Sequence, residues 1–211
     1  MSGYREYIRA GLIVIATIAL SGCSFSHSSG YRMEAAQRPA GLGATAVAIQ
    51  SIGGISKHVD RDKLAAAVEA AIRTAPGTTV VMLPDSPAGV RRSDYELLLA
   101  ARQMNAQSLC IVNIDNMGSR ITLGIGIPPY EANSFANFQA RILAVNDGRL
   151  LVESVRWEAT YDPFFEPPAH SVNDLQRGIE RTLQYGGYTN DGKAKSSEPP
   201  ATQPTAVTSV R

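Results

Sequence analysis

Cysteine is scarce in this sequence: the 211 residues carry two, Cys23 and Cys110. That excludes the cysteine-dense secreted scaffolds held by several disulfides. Histidine occurs three times, as His27, His58 and His170. These are far apart, whereas a zinc centre needs clustered ligands, so no metal site and no cofactor is expected. An excess of one charge is also missing, with 20 Lys and Arg against 19 Asp and Glu. Nucleic-acid binding calls for a basic face, so no nucleic-acid partner is expected. No apolar run reaches the about 20 residues that a membrane-crossing helix needs. The chain has no G-x-S-x-G elbow, the main sequence cue of a hydrolase triad. Gly124 and Gly126 form G-x-G without a third glycine at the dinucleotide-binding offset, and they sit between β-rich runs. Close strand packing or a bulge accounts for them better.

What the sequence does hold begins at its start. MSGYREYIRA carries Arg5 and Arg9 against Glu6, and the uncharged run GLIVIATIAL follows. A basic stretch and an apolar run of about ten residues have the proportions of a secretory signal. Leu20-Ser21-Gly22-Cys23 then resembles the lipobox of bacterial lipoprotein precursors. That resemblance implies cleavage before Cys23, a diacylglyceryl group on its thiol and acylation, for instance by palmitate, of the new amino terminus. Several acyl chains hold a protein stably where one binds only marginally. Ser24 stands where an Asp would favour the inner membrane, so the resemblance implies the outer membrane, with the domain facing the periplasm. Removing residues 1–22 leaves 18 basic and 18 acidic residues, since Arg5, Arg9 and Glu6 depart. With Cys23 alkylated, Cys110 has no disulfide partner. It lies in the apolar stretch SLCIVNI and reads as a buried structural thiol.

Both ends of the mature chain look poor in structure. Residues 23–43 read as a flexible tether, and residues 187–211 as a disordered tail rich in Pro, Ser and Thr. One domain is expected over 44–186. Ala44–Ile52 reads as a strand. A helix should follow from Asp60, with Leu64, Ala67, Val68, Ala71 and Ile72 on one apolar stripe. TTVVMLP reads as a central strand. Ser93 and Glu96 have capping-box spacing at the start of a second helix. Ser108–Asp115 and Ser119–Ile127 read as two strands. Phe135–Tyr161 reads as a long hairpin turning at Asp147-Gly148. Its expected register sets Ala144 against Leu151, Ala140 against Val155 and Phe138 against Trp157 on an apolar side. A bulge at Gly148 would shift this by one residue. A last helix is expected from Ser171, with Val172, Leu175, Ile179 and Leu183 inward and the Tyr185-Gly-Gly-Tyr188 run ending it. The expected fold is α/β (α+β): one mixed β-sheet with a long β-hairpin and about three helices packed on it.

The order of the elements also resembles small envelope lipoproteins of the curli-secretion and penicillin-binding-protein-activator type, whose domains are similar to the TolB N-terminal domain. The resemblance rests on Ala44–Ile52, the helix from Asp60, TTVVMLP and ELLLAARQMNAQSLCIVNI. It carries over no individual residue. The long pore-forming insertions of the secretion channel are lacking.

For function, IPPYEANSFANF and PFFEPPAH set Tyr130, Phe135, Phe164 and Phe165 among prolines. Either these rings form a contact surface, as aromatics often do, or they fold back over the core. Arg91-Arg92 before the second helix reads as a solvated loop or as a place for an anion. The reading favoured is a non-enzymatic, membrane-anchored binding or scaffold module for another envelope protein or assembly. Its lipidation site would be Cys23, and its contact surface Tyr130, Phe135, Phe164 and Phe165. The alternatives are a hydrolase-like enzyme using Glu131, Asp162 or Glu166, and a small-ligand carrier with a pocket beside the hairpin.

Overall fold

A computed structural model describes residues 24–51, 55, 59–84, 90–123, 130–162 and 169–189. The elements run β1 (Ser24–Arg32), β2 (Ala44–Ser51), α1 (Arg61–Arg73), β3 (Thr79–Met82), α2 (Asp94–Gln103), β4 (Ser108–Leu123), β5 (Tyr130–Ala144), β6 (Leu150–Asp162) and α3 (Ala169–Gly186). The six strands form one sheet in the order β1-β6-β5-β4-β2-β3. β2 is parallel to β3 and β4, and the other pairs are antiparallel. The expected mixed sheet with its hairpin and helices is therefore present.

Local signals explain the helices. The Asp60 carboxylate accepts from the backbone N–H groups of Asp62 and Lys63, capping α1. All five stripe residues of α1 are buried. Ser93 and Glu96 make the full reciprocal capping box of α2. At the end of α3, the Tyr188 N–H donates to the Leu183 carbonyl and the Gly187 N–H to the Gln184 carbonyl. This is a Schellman cap. It needs a left-handed residue at Gly187, whose φ is 72°.

α1 and α3 cover one sheet face over Val47, Cys110, Val112, Ile114, Phe138 and Ile142. α2 covers part of the other, where Leu97 and Ala101 meet Ala46, Ala48, Leu109, Ile111 and Leu143.

Six expectations need correction. Residues 24–32, assigned to the tether, form β1 along the edge of β6. Main-chain pairing holds this segment, so its lack of apolar patterning hides it. Met33 and Leu42 behind it are buried, 4% and 2% exposed. At the other end, Tyr188 is buried against the core rather than part of a tail. TTVVMLP supplies an edge strand, β3, of only four residues; shortness is one way to blunt an open edge. The strands expected at Ser108–Asp115 and Ser119–Ile127 are joined in one strand, β4, as far as Leu123, with a register shift between Ile114 and Asn116, and 124–127 lie outside the described residues. α3 starts at Ala169, so Ser171 lies within it.

The hairpin register is the correction with most consequence. The turn spans five residues, closed by the Ala144 N–H donating to the Arg149 carbonyl. A register shift follows at Ile142/Leu143. Phe138 therefore faces Arg156, and Trp157 faces Asn137. Side chains alternate across a strand, so one residue of slip exchanges the faces of β6.

Candidate functional site

That slip sorts the side chains of β6. Toward α3 go Ser154, Arg156 and Glu158, all buried. Toward the other face go Glu153, Val155 and Trp157, with Val155 43% and Trp157 44% exposed. The residue opposite Trp157 on β1 is His27, and Tyr31 lies opposite Glu153. Tyr31 is 48% exposed. No described element packs over this β1–β6 part of the face, because the helix on that side, α2, sits over β2, β4 and the end of β5.

Beside this apolar strip runs a row of hydrogen-bonded amides. The Gln50 amide donates to Asn113 at 3.2 Å, Asn113 to Gln139 at 3.2 Å, and Gln139 to the Glu153 carboxylate at 2.5 Å. The Arg92 backbone N–H closes the far end by donating to Gln50 Oε1 at 2.7 Å. Four strands thus share one polar chain, which fixes the side chains in place. Arg141, on the same side, makes a two-pronged pair with Asp94 at the start of α2, both bonds 2.7 Å. The face carries tryptophan, valine and tyrosine at one side and the hydrogen-bonded amides at the other.

The opposite face holds a buried polar cluster under α3. Asp174 is fully buried and accepts from the Ser134 and Thr160 hydroxyls, each at 2.6 Å, and from Arg177. Glu158 pairs with Arg181 and lies 3.6 Å from the Arg156 guanidinium, whose Nε donates to Thr182 at 3.0 Å. Burial raises the Glu158 carboxyl above its ordinary value, against the pull of Arg181 and Arg156. Burial likewise lowers the Arg156 guanidinium, opposed by Glu158. The cluster lies between helix and sheet, with Arg177 and Arg181 reaching its solvent edge, and its bonds join α3 to β5 and β6. Its chemistry is that of a clamp.

The predicted site residues fall as follows. Tyr130 opens β5, opposite Leu123. Phe135 lies farther along β5, half-buried, between Gly118 and Ala159. It shares the strand face of Asn137 and Gln139, so it adjoins the open face. Phe164, Phe165 and Cys23 lie outside the described residues. Of the candidate carboxylates, Asp162 pairs with Ala132, one position from Glu131, and Glu166 lies outside the described residues. Arg91 pairs with Asp115 at 3.4 Å, and the Arg92 guanidinium donates to the Pro84 carbonyl. Both serve the loop before α2. Cys110 is buried, and burial pushes its thiol up to about 12. Among the described residues no group of His, Cys, Asp or Glu is set to hold a metal.

A cavity of about 580 Å³ lies at the turn end of the hairpin, lined by Leu42, Arg102, Gln107, Asn146 and Arg149 among others. Its Arg102 guanidinium is already engaged by the carbonyls of Val145 and Asn146.

Trp157, Val155 and Tyr31 were missed at the sequence level. Trp157 and Val155 read as core because the two-residue turn set the wrong register. Tyr31 read as tether.

No family model matches this chain, and no curated protein matches it. Solved structures do. The PelC dodecamer from Paraburkholderia phytofirmans superimposes with a TM-score of 0.51 at 11% identity, covering 79% of this chain and 100% of that one. Lipoprotein GNA1162 from Neisseria meningitidis gives 0.41 at 11%, over 68% and 99%. The LpoB C-terminal domain from Escherichia coli gives 0.38 at 11%, over 57% and 84%. The likeness to PelC is one of fold.

Proposed function

We propose that this chain is a lipid-anchored protein of the bacterial envelope whose domain acts as a binding or scaffold module, not as an enzyme. The observation that carries the reading is the uncovered β1–β6 face. Trp157, Val155 and Tyr31 stand exposed there beside a fixed amide row. Tryptophan and tyrosine are the residues most often found at the energetic centre of protein interfaces. The preformed row means little side-chain ordering is needed on binding. Phe135 extends the surface toward the residues after Tyr130.

The anchor rests on Leu20-Ser21-Gly22-Cys23 and the segment before it. Attachment through acylated Cys23 to the outer membrane, with the domain in the periplasm, is part of this proposal. The shared fold with PelC, which is solved as a dodecamer, supports looking among assemblies, including copies of this chain.

The test is site-specific photocrosslinking in living cells from positions 155 and 157, beside position 69 on the far helix. Adducts of defined mass from 155 and 157 only, identified as an envelope protein or a second copy, support the reading. No adduct from either position in a folded, membrane-attached protein refutes it.

A further inference from the structure

The two edges of the sheet differ. β3 closes one side with four residues, and β1 closes the other with nine. An edge strand presents a row of unpaired N–H and C=O groups, which proteins blunt with short strands, lysine, proline or bulges. β1, SFSHSSGYR, has no lysine and no proline, and it pairs with β6 without a register shift. Residues 26–32 are all exposed. Among the described residues, Tyr185 of α3 reaches the strand from one face, stacking against Arg32.

The hydrogen bonds show which groups point outward. The Met33 N–H donates to the Leu151 carbonyl. Bonded and non-bonded pairs alternate along an antiparallel ladder. His27, Ser29 and Tyr31 therefore bond to β6, while Ser26, Ser28, Gly30 and Arg32 turn their N–H and C=O groups away from it. Gly30 agrees, since its carbonyl accepts from the Tyr185 hydroxyl at 3.2 Å and not from β6. That carbonyl keeps a second lone pair.

The outward row is complementary to itself. When a second β1 is laid antiparallel with Ser28 against Ser28, outward groups meet outward groups: Ser26 faces Gly30, and Ser24 faces Arg32. Like charges directly opposite would destabilise such a pair. Arg32, the one Lys or Arg of β1, meets a serine instead of its own copy. The helices leave room. α3 is bonded to β5 and β6, not β1's outer side. With strands about 4.8 Å apart, the two copies of α3 lie about 19 Å from each other, beyond the about 10 Å of packed helices.

We propose that β1 pairs with β1 of a second copy, antiparallel about Ser28, and joins the two six-stranded sheets into one. Such an interface is isologous, as a two-fold dimer requires. It rests on the strand edge and on neither the anchor nor the reading of the open face. It does enlarge that face. Trp157 lies opposite His27, and Val155 opposite Ser29. Across the two-fold axis His27 meets Ser29 of the second copy, so Trp157 and the second copy's Val155 share one row, about 14 Å apart. The symmetric row repeats this, and the two exposed strips become one surface. The two copies of Ser24 leave from opposite ends of the pair, about 27 Å apart, so β1 in a membrane-attached dimer lies along the membrane.

The test uses the full chain isolated from cell membranes, as wild type, Ser28→Cys and Ser26→Cys, oxidised side by side. Position 28 meets its own copy with Cα atoms about 5.5 Å apart, within disulfide range. Position 26 is about 14 Å from its copy. At least fivefold more disulfide dimer is expected at 28 than at 26 or in wild type. Hydrogen exchange and sedimentation give a readout without new cysteines. Ser28→Pro removes an outward N–H and no bond to β6, as an edge strand tolerates. It should shift the dimer to monomer and speed exchange of the outward amides of 26–32 at least tenfold, with exchange in β6 unchanged. If Ser28→Pro also loses protection in β6, Ser28→Lys, which sets like charges opposite each other, takes its place with the same expectation. Equal crosslinking at 26 and 28 overturns the inference. So do open outward amides in wild type, and so do protected ones in a chain that sediments without a second copy, where the chain's own carboxyl-terminal segment or another protein's strand would hold the edge.

Discussion

Gly178 looks like a weak point in α3, because glycine in the middle of a helix costs about 0.5–1 kcal/mol relative to alanine. Propensity alone therefore predicts that Gly178→Ala stabilises the protein by about that amount. Packing predicts the opposite. A Cβ at Gly178 would lie 2.5 and 2.7 Å from two ring carbons of Phe138 and 2.9 Å from Cγ of Glu158. Phe138 is fully buried, and its ring cannot fold away as a flexible chain end can. α3 would have to lift from β5 and β6 or the ring leave its rotamer. Either response costs about 1–3 kcal/mol in well-packed cores. Lifting α3 would also stretch the bonds of Asp174 to Ser134 and Thr160. The overpacking cost exceeds the propensity gain, so Gly178→Ala should lose about 1–2 kcal/mol net. Urea denaturation of four proteins tests this: wild type, Gly178→Ala, Phe138→Leu and the double variant. Phe138→Leu alone should cost about 1 kcal/mol and make room at the contact. The double variant should then be more stable than the sum of the single losses by about 1 kcal/mol, within the range seen for contacting residues. A Gly178→Ala protein more stable than wild type, or additive losses, would refute the close approach of α3 to Phe138.

Trp157→Ala should change stability by no more than about 0.5 kcal/mol, as exposed substitutions do, while Phe138→Ala loses about 3–5 kcal/mol; the two denaturation midpoints decide which hairpin register is present. In the register expected from sequence both residues would be core and both losses large. Cys110 should resist iodoacetamide at mildly alkaline pH in the folded protein and react once denatured, since burial pushes its thiol up to about 12; peptide mass spectrometry reads this. For Glu158 the folded carboxyl titrates above its unfolded value of 4.5, so the folded state holds more protons through that window. The Glu158 contribution to stability should therefore decline as pH rises through and above 4.5, and a Glu158→Gln variant should lack that decline in urea midpoints measured across the range.

What could be read from the sequence was what neighbouring residues decide among themselves. The stripe of α1, the box at Ser93 and the glycines after Tyr185 are all set within one or two turns of chain. β1 could not be read that way. SFSHSSGYR has no apolar alternation, and its order comes from main-chain bonds to β6, more than a hundred residues away. The same holds for the buried cluster: Glu158 and Asp174 show as ordinary surface acids until the fold supplies Arg181, Ser134 and Thr160. The face presented by Trp157 depended on the turn, where Asp147-Gly148 suggested two residues and the chain uses five.

The one-residue slip joins these failures into a single physical choice. In the register that the hydrophobic pattern favours, β6 would bury Val155 and Trp157 and leave Arg156 and Glu158 in water. The observed register does the reverse, giving up burial of a tryptophan and a valine, each worth on the order of 2 kcal/mol. It must also desolvate two charges, which is costly unless they are paired. Something outside the hairpin has to outweigh this. α3 supplies it, since Arg181 and Thr182 meet Glu158 and Arg156, and Arg177 and Asp174 reach Thr160. These bonds require Arg156, Glu158 and Thr160 to point toward the helix together, which alternation permits only in this register. The charged side of β6 is thus turned inward to hold α3, and Trp157 and Val155 are left outside as its necessary complement. A hairpin in which Arg156 and Glu158 are both replaced by apolar residues should therefore lose the preference. Crosslinks between cysteines placed at 137 and 157, neighbours only in the observed register, would form less readily in that variant. Undiminished crosslinking there would show that the turn, not α3, sets the register.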